Sequence, residues 1–175
     1  MKTLVIHPQD HTTDFLKEIY QQKGWTVVNH VKSHNELAKL MIDHDRIVML
    51  GHGCEFGLFD MRGHLLVNSK LVYILRDKLV VAIWCNADKF IKKYELKGFY
   101  TGMIISEHEE AIDFAVPVYS GSIDQSNKLF ASSIAAGIDQ PGMLQITRSL
   151  YTLPDNKVVE FNFCNLYQNA DTHEL

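Results

Sequence analysis

Two residues of complementary chemistry stand at the ends of two matched apolar runs. Ile47-Val48-Met49-Leu50 leads into Gly51-His52-Gly53, and Val80-Val81-Ala82-Ile83-Trp84 leads into Cys85. A cysteine attacks as its thiolate, and at a reference pKa of about 8.5 only a few per cent is ionised at neutral pH. A histidine beside it would take the proton. The chemistry of such a pair is acyl transfer: sulfur attacks a carbonyl, imidazole moves protons, and backbone N–H groups hold the oxyanion. Gly53 has no Cβ and so admits a substrate close to its N–H; the Cys85 N–H is a natural second donor. A helix starting near Asn86 would place its positive end beside the sulfur.

The pair meets only if the two runs are neighbouring strands ending at one level. Short apolar runs bounded by polar residues read as buried parallel strands. The remaining pattern supplies the sheet. Leu4–Ile6, Trp25–Val31, Arg46–Leu50, Leu79–Trp84 and Phe99–Ile105 read as strands one to five. Between them, residues 14–22 carry a one-sided apolar face ending at Gly24, and Ser33 with Glu36 makes a capping box. Residues 56–67 resemble a hairpin with a Gly-containing turn, and Asn68 or Ser69 opens a helix through Arg76. A helix after Cys85 is expected to end at Gly98. Ser106 with Glu109 and Ser122 with Gln125 read as further capping boxes, the second opening a helix that stops at Gly137. A short helix at 142–150 and a last strand at 157–163 complete the chain. Alternating strands and helices predict an α/β fold of three-layer α/β/α type with a mostly parallel sheet. In a flavodoxin-like order, strand one lies between strands two and three, and strand four lies beyond strand three. Functional groups of such sheets gather past the carboxyl ends of the strands.

An apolar strand ending in x-His-Gly, followed by a second apolar strand ending in Cys, resembles the caspase-like cysteine peptidases, among them caspases, gingipains, clostripain and CHAT domains. The residues that carry the resemblance are Gly51-His52-Gly53 and Trp84-Cys85. It implies a caspase-like fold and a thiol protease activity, with His52 as general base or acid, Cys85 as nucleophile and Gly53 N–H as oxyanion donor. It extends over roughly residues 46–137, through Gly98–Ser106 with Glu107, Glu109 and Glu110 behind it, and through Lys128–Gly137. This chain departs from the caspases in having Ile83-Trp84 where they have a Gln-Ala pair, and Asn86-Ala87-Asp88 after the Cys.

Composition bounds the rest. The 175 residues fit one domain, 1–175, and 46% apolar with 22% charged residues is ordinary for a globular chain. The net charge of −4, with no basic run, argues against a nucleic-acid partner. No apolar run reaches the roughly 20 residues of a membrane helix, and the N-terminus reads as a first strand, not a signal peptide. Three cysteines, Cys54, Cys85 and Cys164, form no disulfide framework and suggest a reducing, cytoplasmic compartment. No cofactor is expected, and the partner expected is a peptide or protein substrate.

Other readings of the same residues stay open. Cys85 alone reads as a small buried hydrophobe, and His52 alone as a strand-end histidine bonded to backbone. Trp84 either crowds the site or walls a pocket. Glu107, Glu109 and Glu110 complement a helix dipole or select basic side chains. Cys54 reads as a loop thiol, His64 as a surface residue and Cys164 as part of the last strand. A zinc site from His7, His11, His52 and Cys54 or Cys85 has no compact ligand motif behind it. For the whole chain, the alternatives to a hydrolase are a catalytically inactive caspase-like module that binds proteins, and a flavodoxin-like binder of a small anion. The second lacks a Gly-rich loop after strand one, where His7-Pro8-Gln9-Asp10 stands.

Overall fold

The inner strands are short, mostly apolar runs buried on both faces. In the computed structural model, which describes residues 1–31 and 33–169, β1 (Thr3–Ile6) and a 3-10 helix (His11–Ile19) lead to β2 (Thr26–Val28) and α1 (His34–Ile42). β3 (Arg46–Leu50) is followed by three short strands, β4 (Gly53–Cys54), β5 (Gly57–Phe59) and β6 (Leu65–Val67). A 3-10 turn (Ser69–Leu71) runs into α2 (Val72–Leu75), then come β7 (Leu79–Ile83), α3 (Ala87–Tyr94) and β8 (Gly98–Thr101). Four helices follow, α4 (His108–Asp113), α5 (Ser122–Gly137), α6 (Met143–Leu150) and α7 (Lys157–Phe163), before β9 (Leu166–Asn169).

The main sheet has six strands in the order β2-β1-β3-β7-β8-β9. The first five are parallel and β9 runs antiparallel to β8. The chain is thus an α/β protein with a mixed, mostly parallel sheet, and strands one to four stand in the expected order. Side chains alternate between the two faces. Leu4, Ile6, Ile47, Met49, Val80 and Ala82 pack with Leu37 and Met41 of α1 and Phe90 of α3. Val5, Val48, Leu50, Val81 and Ile83 pack with Leu16 of the first 3-10 helix, Phe130 of α5 and Tyr151. The register that matters for function is between β3 and β7. Leu50 pairs with Ile83, and the Gly51 N–H closes the ladder on Ile83 O at 3.1 Å.

The structure corrects several boundaries. Residues 157–163 are a helix, not a strand. Asn156 caps it, its side-chain oxygen accepting from Val158 N and Val159 N at 3.0 and 3.2 Å, and Val158, Val159 and Asn162 bury one face. Alternation of Val159, Phe161 and Phe163 imitated a strand; the cap decided otherwise. Cys164 therefore sits at a helix end, exposed. Segment 56–67 belongs to an antiparallel three-stranded unit that begins at Gly53. Strand five stops at Thr101, and the capping box beyond it joins Glu107 and Glu110 where Ser106 and Glu109 were expected. The Ser122 hydroxyl accepts from Tyr119 N at 3.1 Å, and Gly121 is the N-cap of α5. α3 ends at Glu95, in the left-handed region at φ 55°, where Gly98 was expected to end it. Gly98 instead opens β8 at φ +144°, with its Cα pressed on the β7 backbone, where a Cβ would overlap Val80 O.

Gly98→Ala adds both a strained φ and a clash with a strand backbone that cannot retreat. The expected loss is about 3 kcal/mol. Urea unfolding should show a lower midpoint at unchanged slope; a midpoint equal to wild type would contradict the close approach.

Candidate functional site

The β3–β7 register sets the site. His52 lies two residues beyond Leu50, and Cys85 lies two beyond its partner Ile83. Both side chains line one narrow cleft of about 20 Å³, walled by Phe15, Leu16, Trp84 and Phe130. That volume is room for about one water molecule. The structure thus brings the two expected residues to one place, but among the described residues no hydrogen bond joins them.

His52 is held from the other side. Its Nε2 lies 2.6 Å from Thr12 Oγ1 and 3.8 Å from Asp10 Oδ2. Asp10 is the N-cap of the first 3-10 helix, its Oδ1 accepting from Thr12 N at 3.0 Å and from Thr12 Oγ1 at 2.9 Å. The Thr12 N–H bond holds the Asp10 carboxyl below the usual carboxylate range. The loop after β1 reaches His52 because β1 is the neighbour of β3.

Cys85 is turned towards the opposite wall. Its Sγ lies 3.5 Å from Ile104 O and 3.8 Å from Glu110 Oε1. Burial first, then the Glu110 charge, push the thiol up to about 12, so it is neutral at physiological pH. Glu110 is fixed by its own cap: Oε2 accepts from Ser106 N at 2.7 Å, Ser106 Oγ at 3.1 Å and Glu107 N at 3.1 Å. Of the three acidic residues expected behind strand five, Glu110 faces the sulfur, Glu107 caps α4 and Glu109 is exposed.

The glycine has a second reason to be there. A Cβ on Gly53 would overlap the Trp84 ring. Trp84 is 2% exposed, donates from Nε1 to Cys54 O at 3.0 Å and packs edge-on against Phe90. It is a wall of the cleft and the seal between β4 and α3. Phe59 N bonds to His52 O at 2.9 Å, which makes Gly53–Leu58 the non-hydrogen-bonded pair of the ladder. The Gly53 N–H is therefore not spent on β5, and no described residue accepts from the Cys85 N–H. Among the described residues, neither expected oxyanion donor is spent on the β4–β5 ladder or on a turn bond.

The remaining candidates lie elsewhere or do something else. His7 is buried and fully bonded. Thr13 Oγ1 donates to Asp10 O at 3.1 Å, so it accepts from His7 Nε2 at 3.1 Å, and Nδ1 accepts from Tyr20 OH at 2.9 Å. Both ring nitrogens are occupied, which removes His7 from any zinc set; among the described residues no group of three or more His, Cys, Asp or Glu could hold a metal. Burial lowers the His7 pKa to about 4. Cys54 Sγ accepts from Phe56 N at 3.4 Å in a turn, and His64 is exposed beside Asp60. Sequence reasoning missed Asp10 and Thr12, and for Glu110 it did not foresee the contact with the Cys85 sulfur. The readable signal for the first two was an Asp-x-Thr cap at the end of the strand beside His52.

No family model, curated protein or solved structure matches this chain.

In a Cys54→Ser, Cys164→Ser background, alkylation of Cys85 by iodoacetamide should still be rising at pH 10. Glu110→Gln removes the charge against the sulfur and should speed the reaction several-fold at pH 9. A rate that levels off near pH 7 would contradict the neutral thiol. His7 makes a separate prediction about stability. Its folded pKa of about 4 lies below the unfolded value of 6.5, so the unfolded chain binds the proton first. Stability is full above pH 6.5 and is lost as pH falls towards 4, by roughly 3 kcal/mol from this group. Melting temperatures from pH 7 to 4.5 should fall steeply in wild type and less steeply in His7→Gln.

Proposed function

We propose that this protein is a cysteine hydrolase of peptide bonds on a caspase-like, three-layer scaffold, with Cys85 as nucleophile and His52 as proton carrier. The observation that carries the reading is the level β3–β7 register, which brings His52 and Cys85 to one cleft at the carboxyl ends of adjacent parallel strands. Apolar clusters on both faces of the sheet and the order of its parallel strands support the scaffold. Among the described residues no helix is long and apolar enough to cross a membrane, and all three cysteines are free, which fits a reducing compartment such as the cytoplasm.

The reaction proceeds in two halves. The Cys85 thiol gives its proton to His52 as sulfur bonds to the carbonyl carbon of the substrate. The carbonyl oxygen takes the negative charge and is held by the Gly53 and Cys85 N–H groups. The C–N bond breaks, the amine leaves with the proton from His52, and a thioester remains. Water, deprotonated by His52, then adds to the thioester carbon and expels the thiolate, which recovers the proton. The neutral thiol and the closed cleft describe the resting site. A substrate must part Cys85 from Glu110 and widen the cleft before attack.

The same two observations favour a second reading, a catalytically inactive caspase-like module that acts through protein–protein binding. A thiol with a pKa of about 12 and room for one water are what a retired site retains. A peptide-library screen separates the two. Cleavage by wild type should fall at least about a thousandfold in Cys85→Ala and in His52→Ala, each with an unchanged melting temperature. Cleavage that persists in Cys85→Ala, or peptide capture without cleavage by wild type, would overturn the hydrolase.

A further inference from the structure

We propose that Asp10 and Thr12 are positioning residues that fix the His52 ring in one tautomer, with the proton on Nε2 and the lone pair on Nδ1. This deepens the reading of His52 as proton carrier and rests on it.

The hydrogen-bond directions leave one solution. An ionised carboxylate only accepts, so the Thr12 hydroxyl spends its single proton on Asp10 Oδ1 at 2.9 Å. At the 2.6 Å contact with His52 the same oxygen must then accept, and Nε2 must be the donor. A neutral imidazole that donates from Nε2 accepts at Nδ1. Nδ1 is therefore the atom that receives the Cys85 proton. When it does, the ring becomes a cation without releasing Thr12, and the Asp10 carboxylate 3.8 Å from Nε2 is the nearest counter-charge. His11 Nδ1 also lies 3.7 Å from Asp10, but it is almost fully exposed and screened.

The relay is held in place from behind. Thr13 N and Thr13 Oγ1 both donate to Asp10 O, at 3.2 and 3.1 Å, and Thr13 in turn receives the buried His7. The end of β1 and the first helical turn are locked together, so Thr12 cannot drift from the ring. This is the arrangement that lets a second residue fix a histidine through a hydroxyl.

Three variants separate positioning from folding. Asp10→Asn keeps the N-cap, since Asn caps as well as Asp, and removes only the charge. Thr12→Val keeps the shape and removes the hydroxyl; Thr12→Ser restores the hydroxyl. The readout is the ¹⁵N spectrum of His52 in the histidine-labelled full chain, which distinguishes protonated from unprotonated ring nitrogens, together with kcat and KM on a cleaved peptide. The expected wild-type ring carries its proton on Nε2. Thr12→Val should mix the tautomers and lower kcat about a hundredfold at unchanged KM and melting temperature, with Thr12→Ser recovering both readouts. Asp10→Asn should keep the tautomer and lower kcat about tenfold. A wild-type ring protonated on Nδ1, or a Thr12→Val ring indistinguishable from wild type, overturns the relay. Absence of cleavage with the tautomers as expected supports the relay and overturns the hydrolase reading instead.

Discussion

The site depends on the residue-for-residue pairing of β3 with β7. Five consecutive pairs, from Arg46–Leu79 to Leu50–Ile83, run without a bulge. Because side chains alternate along a strand, a slip by one residue would send each apolar set to the wrong face. The two cores on either side of the sheet therefore enforce the register far more strongly than any polar contact at its end. His52 and Cys85 inherit that precision. β1, bound to the other edge of β3, delivers Asp10 and Thr12 by the same means. Four polar residues from three separate segments meet because their strands do.

Against this ordered half of the site stands the carboxylate of Glu110. It is anchored by three donors on one oxygen and presents the other to the thiol. α4 is only six residues long, and its start is fastened by the capping box that this side chain forms with Glu107. The Glu110 carboxylate therefore couples the shape of the loop after β8 to the ionisation of the sulfur. Whatever disturbs one disturbs the other. His52 has no such tie to the loop: its partners lie across the cleft, in the first helical turn.

The sheet and its order were legible because buried parallel strands leave unbroken apolar runs, and these runs end at recognisable residues. The pairing of Gly51-His52-Gly53 with Cys85 was legible for the same reason. The rest depended on one local cap and on contacts distant in sequence. Val158-Val159 reads as a strand until Asn156 is seen capping a helix. Gly98 reads as a helix stop until the β7 backbone is seen against it. Gly53 reads as an oxyanion glycine, yet the Trp84 ring alone would demand it. Glu110 reads as a dipole-complementing charge, and only the fold shows the thiol behind it. Composition and period report burial well; they do not report which polar atom faces which.

β9 has a consequence for how the chain reaches this fold. It is the partner that covers the outer edge of β8, and Asn169 ties it down by accepting from Gly98 N and donating to Leu96 O, at 2.9 and 2.8 Å. Yet β9 is synthesised only after α4, α5, α6 and α7 have all emerged from the ribosome. Until then β8 is an open edge with unpaired backbone groups, beside β7, the strand that leads into Cys85. The nascent chain thus passes through a stage in which its sheet offers a template to other chains, and closing it requires the long-range pairing that β9, made after α7, supplies.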